Sequence, residues 1–227
     1  MIIAIDGPSG AGKSTVAKAV AERLGFSCLD TGAMYRSIAW QAINDGCDLN
    51  DGEALGKIAR EKLIEFQIEP GCVSPAKVTI GGVDVTDAIR TAQIDRSVSA
   101  ASAHPAVREA LVEQQRRIGH AGNYVVEGRD IGTVVFPDAE VKVFLTASAE
   151  ERARRRVEQN AQRGVGSTDF DEVLADIVRR DDYDSSRDTA PLRAAEDAHP
   201  IDSTAFPVDE VVAMVCSLAE EKLASRC

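Results

Sequence analysis

The stretch MIIAIDGPSGAGKST, residues 1–15, decides the fold. Its first half, IIAID, is an apolar run of strand length, stopped by Gly7 and Pro8. Its second half fits G-x-x-x-x-G-K-[ST] through Gly7, Gly12, Lys13 and Ser14. Behind it, Val16, Val20 and Leu24 recur every four positions and Gly25 follows, which predicts a helix with a glycine stop. Strand, glycine-rich loop and helix in that order are the context this motif requires. Glycines let backbone N–H groups converge on phosphate oxygens with no Cβ in the way. The helix start adds unpaired N–H groups and about half a positive charge. Gly7, Pro8, Ser9, Gly10, Ala11, Gly12, Lys13, Ser14 and Thr15 are therefore expected to hold the phosphates of a nucleoside triphosphate. Lys13 supplies a mobile cation, and the Ser14 hydroxyl is the expected Mg²⁺ ligand.

Outward from this loop, apolar runs alternate with helical patterns. FSCLD, YVVEG and VKVFL have strand length, and AMYRSIAWQAI places Met34, Ile38 and Ala42 on one helical face. Such alternation predicts an α/β fold, a parallel sheet covered on both faces. Between Leu63 and Val85 the short pieces IEFQIE, KVTI and VDV are split by PGCVSP and GG, which predicts a small antiparallel insertion. A helical region then runs to Gly119, with Pro105 opening its second half. SAEERARRRVEQ carries a capping-box pattern, Ser148 with Glu151. Further helices are predicted with inward faces at Phe170, Val173, Leu174 and Ile177, and at Val208, Val211, Val212, Val215 and Ala219.

Composition narrows the function. The chain has 227 residues and a net charge of −11, which argues against a general nucleic-acid binder. Cys28, Cys47, Cys72, Cys216 and Cys227 are odd in number and scattered, so reduced thiols are expected, with no zinc site. No apolar run approaches the roughly 20 residues of a membrane span. No basic leader with a long apolar core is seen. A cytoplasmic monomer with no membrane partner is expected.

Arginines cluster where strands end. DTGAMYR ends in Tyr35 and Arg36, on the side expected to face away from Met34 and Ile38. The strand YVVEG runs straight into Glu127, Arg129 and Asp130, which places three charges at the ligand crevice of an open sheet. Glu127 is suited to serve a metal through water. RRDDYDSSR spaces Arg180, Asp184 and Arg187 on one helical face, either as a structural network or as a grip on a phosphate and a sugar hydroxyl. Arg152, Arg154, Arg155 and Arg156 crowd one helix start and Arg163 precedes GVG; part of this group is a solvated face and part a lid.

GPSGAGKST, LDTGAMYR, DAIRT with HPAVREAL, EGRDIGTVVFPDA, RRDDYDSSR with APL, and IDST occur in this order over nearly the whole chain. In this series the chain resembles the bacterial cytidylate kinases. The resemblance implies a P-loop nucleoside monophosphate kinase fold: a five-stranded parallel sheet flanked by helices. It also implies one kinase domain over 1–227, with a nucleotide-binding insertion at about 31–105 and an arginine-rich lid at about 152–168. Carried over position by position, Ser99, Arg108 and Asp130 would read the cytosine. Arg180 and Asp184 would lie near the ribose. Arg36, Arg129 and Arg187 would surround the acceptor phosphate, with Thr31 and Tyr35 beside them. Lys13 and, from the lid, Arg156 would neutralise the transferred group. The implied reaction is ATP plus CMP or dCMP giving ADP plus CDP or dCDP, with Mg²⁺. An ionised acceptor phosphate needs no base, in keeping with His104, His120 and His199 standing outside every motif. The alternatives are a P-loop kinase of another acceptor, UMP or a shikimate-like metabolite, or a nucleotide switch without transfer.

Overall fold

The computed structural model describes residues 1–225, so Cys227 lies outside the described residues. The central sheet is parallel and five-stranded. It comprises β1 (Ile2–Asp6), β2 (Ser27–Asp30), β6 (Tyr124–Gly128), β7 (Val141–Thr146) and β8 (His199–Asp202) in the order β2-β6-β1-β7-β8. Alternate residues of β1 serve different cores. Ile3 and Ile5 pack with Val16 and Val20 of α1 (Lys13–Leu24) and with Val211 and Val215 of α8 (Val208–Ala224). Ile2 and Ala4 pack with Met34 and Ile38 of α2 (Thr31–Asn44) and with Val107 and Leu111 of α5 (Pro105–Gly119). Burial on both faces is why β1, β6 and β7 are nearly continuous apolar runs.

The predicted antiparallel piece is present as β3 (Ile64–Gln67), β4 (Lys77–Ile80) and β5 (Val83–Asp84). It stands with α3 (Gly52–Glu61) and α4 (Ala92–Ala103) beside the α2 face. Two helices, α6 (Ala149–Arg163) and α7 (Phe170–Ser186), pack together through Ala153, Val173 and Ile177. Among the described residues, no helix is long and apolar enough to cross a membrane. Cys28, Cys47, Cys72 and Cys216 are free thiols.

Several local expectations need correction. Phe170 and Val208 are exposed; each is the first residue of its helix and projects beyond the packed seam. The Ser148 hydroxyl does cap α6 by accepting from the Glu151 amide at 3.2 Å. The reciprocal half of the box is missing, because the Ser148 amide donates to Thr204 Oγ1 and the Glu151 carboxylate holds Arg154 and Arg155. Tyr35 does not turn away from Met34 and Ile38 but is buried in the same core.

Candidate active site

The loop after β1 wraps the start of α1. Gly7 has φ 152°, and a Cβ there would come within 1.9 Å of the Leu145 carbonyl oxygen, so the loop leaves the sheet only with glycine at this position. Gly12 has φ 93° and caps α1 without a side chain, leaving the first helical amides free to point at a ligand. Lys13 is buried, and its Nζ donates to the Pro8 carbonyl at 2.8 Å. Burial and the nearby Arg129 push its ammonium well below the usual value, against the pull of Glu127 and Asp6.

The carboxyl ends of β2 and β6 face this loop. Asp30 and Glu127 are register partners on those strands. Glu127 accepts from the Ser14 hydroxyl at 2.8 Å, and the Thr31 hydroxyl donates to the Glu127 carbonyl at 2.7 Å. Burial and Asp30 push Glu127 up to about 7. Asp30 caps α2 and holds Arg36 at 2.6 Å. Burial opposes the Asp30 charge, but Arg36 and the Ala33 amide keep its carboxyl below the usual range.

One cleft of about 770 Å³ joins the two ends. Arg36 from α2, Arg129 after β6, Arg180 within α7 and Arg187 just past its end all line it. Asp184 sits among them, 3.0 Å from Arg129 Nε and 3.9 Å from Arg187 Nη1. Burial and Arg129 lower Arg180 to about 10. Burial would raise Asp184, yet Arg129 and Arg180 hold it below its ordinary value. Arg129, Arg180 and Arg187 thus put positive charge in excess around Asp184. Arg36 Nε, Arg108 Nε, Arg180 Nε and Arg187 Nη2 are buried with no acceptor among the described residues. Buried donors of this kind are costly unless something accepts from them, and a phosphate oxygen does so well. At the cleft's inner end Arg108 pairs with Asp130, and its guanidinium lies 5.2 Å from the Tyr35 ring centre. Both partners of that pair are buried.

Most expected residues meet here. Ser9 through Thr15 line the cleft, as do Thr31, Tyr35, Arg36, Arg108, Arg129, Asp130, Arg156, Arg180, Asp184 and Arg187. Gly7 and Pro8 shape the loop from behind. Ser99 does not reach the cleft. Asp95, Val98 and Ser102 of α4 form that wall, and Ser99 is turned about 100° from Val98 and about 60° from Ser102. The Ser102 carbonyl accepts from Arg108 at 3.1 Å. The arginine cluster divides. Arg156 donates to Ser9 Oγ at 3.0 Å, and Arg155 holds Ser203; both line the cleft with Arg163. Arg152 is structural, bonded to the Ser9 and Ala147 carbonyls and paired with Asp181 at 2.6 Å. Arg154 is exposed beside Glu151. Sequence reasoning placed Arg155 in the lid cluster and Ser203 in the IDST motif without giving either a contact; it missed Ser102, whose local surroundings carry no signal, and Asp6, a buried acid at the strand end.

Mg²⁺ is tested by the donor set. Ser14 and Glu127 offer hard oxygens with Asp30 adjacent, and a buried carboxylate beside a half-buried one is relieved by a divalent cation. Among the described residues no group of three or more His, Cys, Asp or Glu could hold a metal, which suits an ion carried largely by substrate phosphates.

The family model for cytidylate kinase matches residues 3–221. A cytidylate kinase from Shouchella clausii is 49% identical over 219 residues, 96% of each chain. One from Geobacillus kaustophilus is 49% identical over 222 residues, 97% of each chain. A bifunctional pantoate ligase/cytidylate kinase from Prochlorococcus marinus is 50% identical over 217 residues, 96% of this chain and 44% of that one. Among solved structures, a shikimate kinase from Bacteroides thetaiotaomicron superposes with a TM-score of 0.50 at 13% identity, covering 97% of this chain and 98% of that one, a likeness of fold alone. With a phosphate loop, a convergent set of arginines and near-full-length identity approaching one half, the chain belongs to the cytidylate kinase family.

Proposed function

We propose that the chain transfers the γ-phosphoryl group of MgATP to CMP or dCMP, giving ADP and CDP or dCDP. The observation that carries this is the set of buried guanidinium donors without acceptors in a cleft that opens onto the Lys13 loop. An acceptor phosphate oxygen attacks the γ-phosphorus. The bond to the β,γ-bridging oxygen breaks, and ADP leaves with its electron pair. The acceptor's second pKa is near 6, so it is largely ionised and needs no base. Among the described residues, no histidine lines the cleft.

The obstacle is repulsion between anions. Arg36, Arg129 and Arg187 hold the acceptor phosphate, while Arg180 and Asp184 face the ribose. Lys13 and Arg156 neutralise charge on the transferred group, and water is excluded as α6 and the segment after it close as a lid. Ser14 and Glu127 would hold Mg²⁺, which when bound neutralises charge on the β- and γ-phosphates. At the base, Asp130 accepts from the cytosine amino group. Uracil presents an oxygen at that place, so two acceptors would face each other. A single polypeptide acting in the cytoplasm, where its thiols stay reduced, completes the proposal.

The test is multiple-turnover CDP formation over a panel of CMP, dCMP, UMP and shikimate at fixed MgATP. CMP and dCMP are expected to lead; a preference for UMP or shikimate would overturn the assignment.

A further inference from the structure

Arg129 and Asp130 lead directly into a single turn of wide helix, Ile131–Val135, in which the Val135 amide donates to the Asp130 carbonyl at 3.1 Å and the Phe136 amide to the Ile131 carbonyl at 2.7 Å. Both of its ends are gripped from other elements. At the start, Asp6 of β1 accepts from the Ile131 amide at 2.8 Å and from the Gly132 amide at 2.7 Å. At the finish, Arg116 of α5 donates from Nε to the Val135 carbonyl and from Nη2 to the Val134 carbonyl, each at 2.8 Å. A negative group at the amide end and a positive group at the carbonyl end each match the turn's dipole. The fit is close as well: a Cβ on Gly132 would lie 3.1 Å from the Lys142 stem, and one on Gly128 would lie 2.6 Å from Ile131.

Neither Asp6 nor Arg116 lines the cleft. Yet α5 carries Arg108 as well as Arg116, so one helix both contacts Asp130 and pins the turn that presents it. We infer that Asp6 and Arg116 are positioning residues for acceptor selection, forming a two-ended clamp that fixes the orientation of Asp130 and Arg129. The inference rests on the proposed base-reading role of Asp130. Without the clamp the turn gains freedom, and Asp130 then no longer discriminates an amino group from a carbonyl oxygen with fixed geometry.

The experiment measures kcat/KM for CMP and for UMP, with the KM for ATP, in the full-length wild type, Arg116→Met, Arg116→Lys and Asp6→Asn. The CMP-over-UMP ratio is expected to fall about 3- to 10-fold in Arg116→Met and in Asp6→Asn, the worth of one or two hydrogen bonds. Arg116→Lys restores part of the ratio, and the KM for ATP stays unchanged in the Arg116 variants. A merely structural role lowers activity on both nucleotides together and leaves the ratio intact; that result overturns the clamp. Should Asp6→Asn not fold, Arg116→Met decides alone. A wild type with no preference for CMP sinks the functional proposal itself, whereas a preference that survives both substitutions sinks the clamp only.

Discussion

Asp130→Asn separates base reading from every other task in the cleft. Asp130 Oδ2 accepts from Arg108 Nη2, and Oδ1 lies 3.9 Å from Arg187 Nη2. An asparagine keeps the shape and loses the charge. Arg108 offers only donors, so it selects the amide oxygen, and the new Nδ2 turns to the base. There it meets the cytosine amino group, donor against donor. The mismatch costs about 1–3 kcal/mol, which lowers kcat/KM for CMP by roughly 5- to 150-fold. Uracil presents an acceptor at that edge, so UMP is spared and the CMP-over-UMP ratio falls by at least as much. A second cost falls on stability. Breaking a buried pair costs about 3–5 kcal/mol, and retention of one acceptor for Arg108 puts the expected loss near 3. For a chain of this size that is a drop of roughly 6–12 °C in Tm, largely recovered by saturating ligand. The assay is coupled ADP release with both pyrimidine nucleotides at saturating MgATP, with a thermal melt beside it. An equal fall for CMP and UMP refutes the base-reading role, because losing a contact to the differing ring edge must shift the ratio.

Other consequences are equally specific. Arg129→Met removes one cation from the acceptor phosphate, and the KM for CMP is expected to rise roughly 10- to 150-fold, the range for a charge-assisted hydrogen bond. Competition by cytidine, which lacks the phosphate, stays as it was; a matching loss of cytidine binding contradicts the assignment. Lys13→Met is expected to lower kcat by roughly 10²–10³-fold with an unchanged circular dichroism spectrum; a variant that turns over normally removes Lys13 from the transfer step. Burial pushes Asp6 up to about 6 against the pull of the Gly132 and Ile131 amides, with Asp130 raising it and Lys13 lowering it. A group raised in the folded state stabilises most below its unfolded value and loses that contribution as pH rises. The stability difference between wild type and Asp6→Asn is therefore expected to fall by about 2 kcal/mol between pH 4 and 6, followed by urea unfolding. A rise over that window contradicts the buried environment.

The sequence makes local chemistry legible and long-range geometry much less so. The phosphate loop is contiguous, so its glycine spacing and flanking strand and helix disclose it completely. The antiparallel piece between Leu63 and Val85 is equally local, a matter of alternation and turn residues. Asp6 was overlooked because the amides it binds lie 125 and 126 residues away, and the end of a strand looks the same whether or not its acid is used. Ser99 and Ser102 differ only in helical phase, and the direction in which α4 turns is set by packing of Ile94, Val98 and Ala101 against the rest of the chain. Tyr35 was expected to face away from the core, but the core extends around α2 to the cleft, where the same ring both packs and carries Arg108. The arginines of α6 show the limit most plainly. Consecutive residues Arg154, Arg155 and Arg156 point to solvent, to Ser203 and to Ser9, because a helix turns each by about 100°.

The most direct measurement is a crystal structure with CMP, Mg²⁺ and a non-hydrolysable ATP analogue. The CMP phosphate is expected within about 3 Å of guanidinium nitrogens from Arg36, Arg129 and Arg187, facing the γ-phosphate beside Lys13, with the cytosine edge on Asp130 and Arg108. A CMP phosphate that touches none of these arginines, or a base turned away from Asp130, contradicts that arrangement.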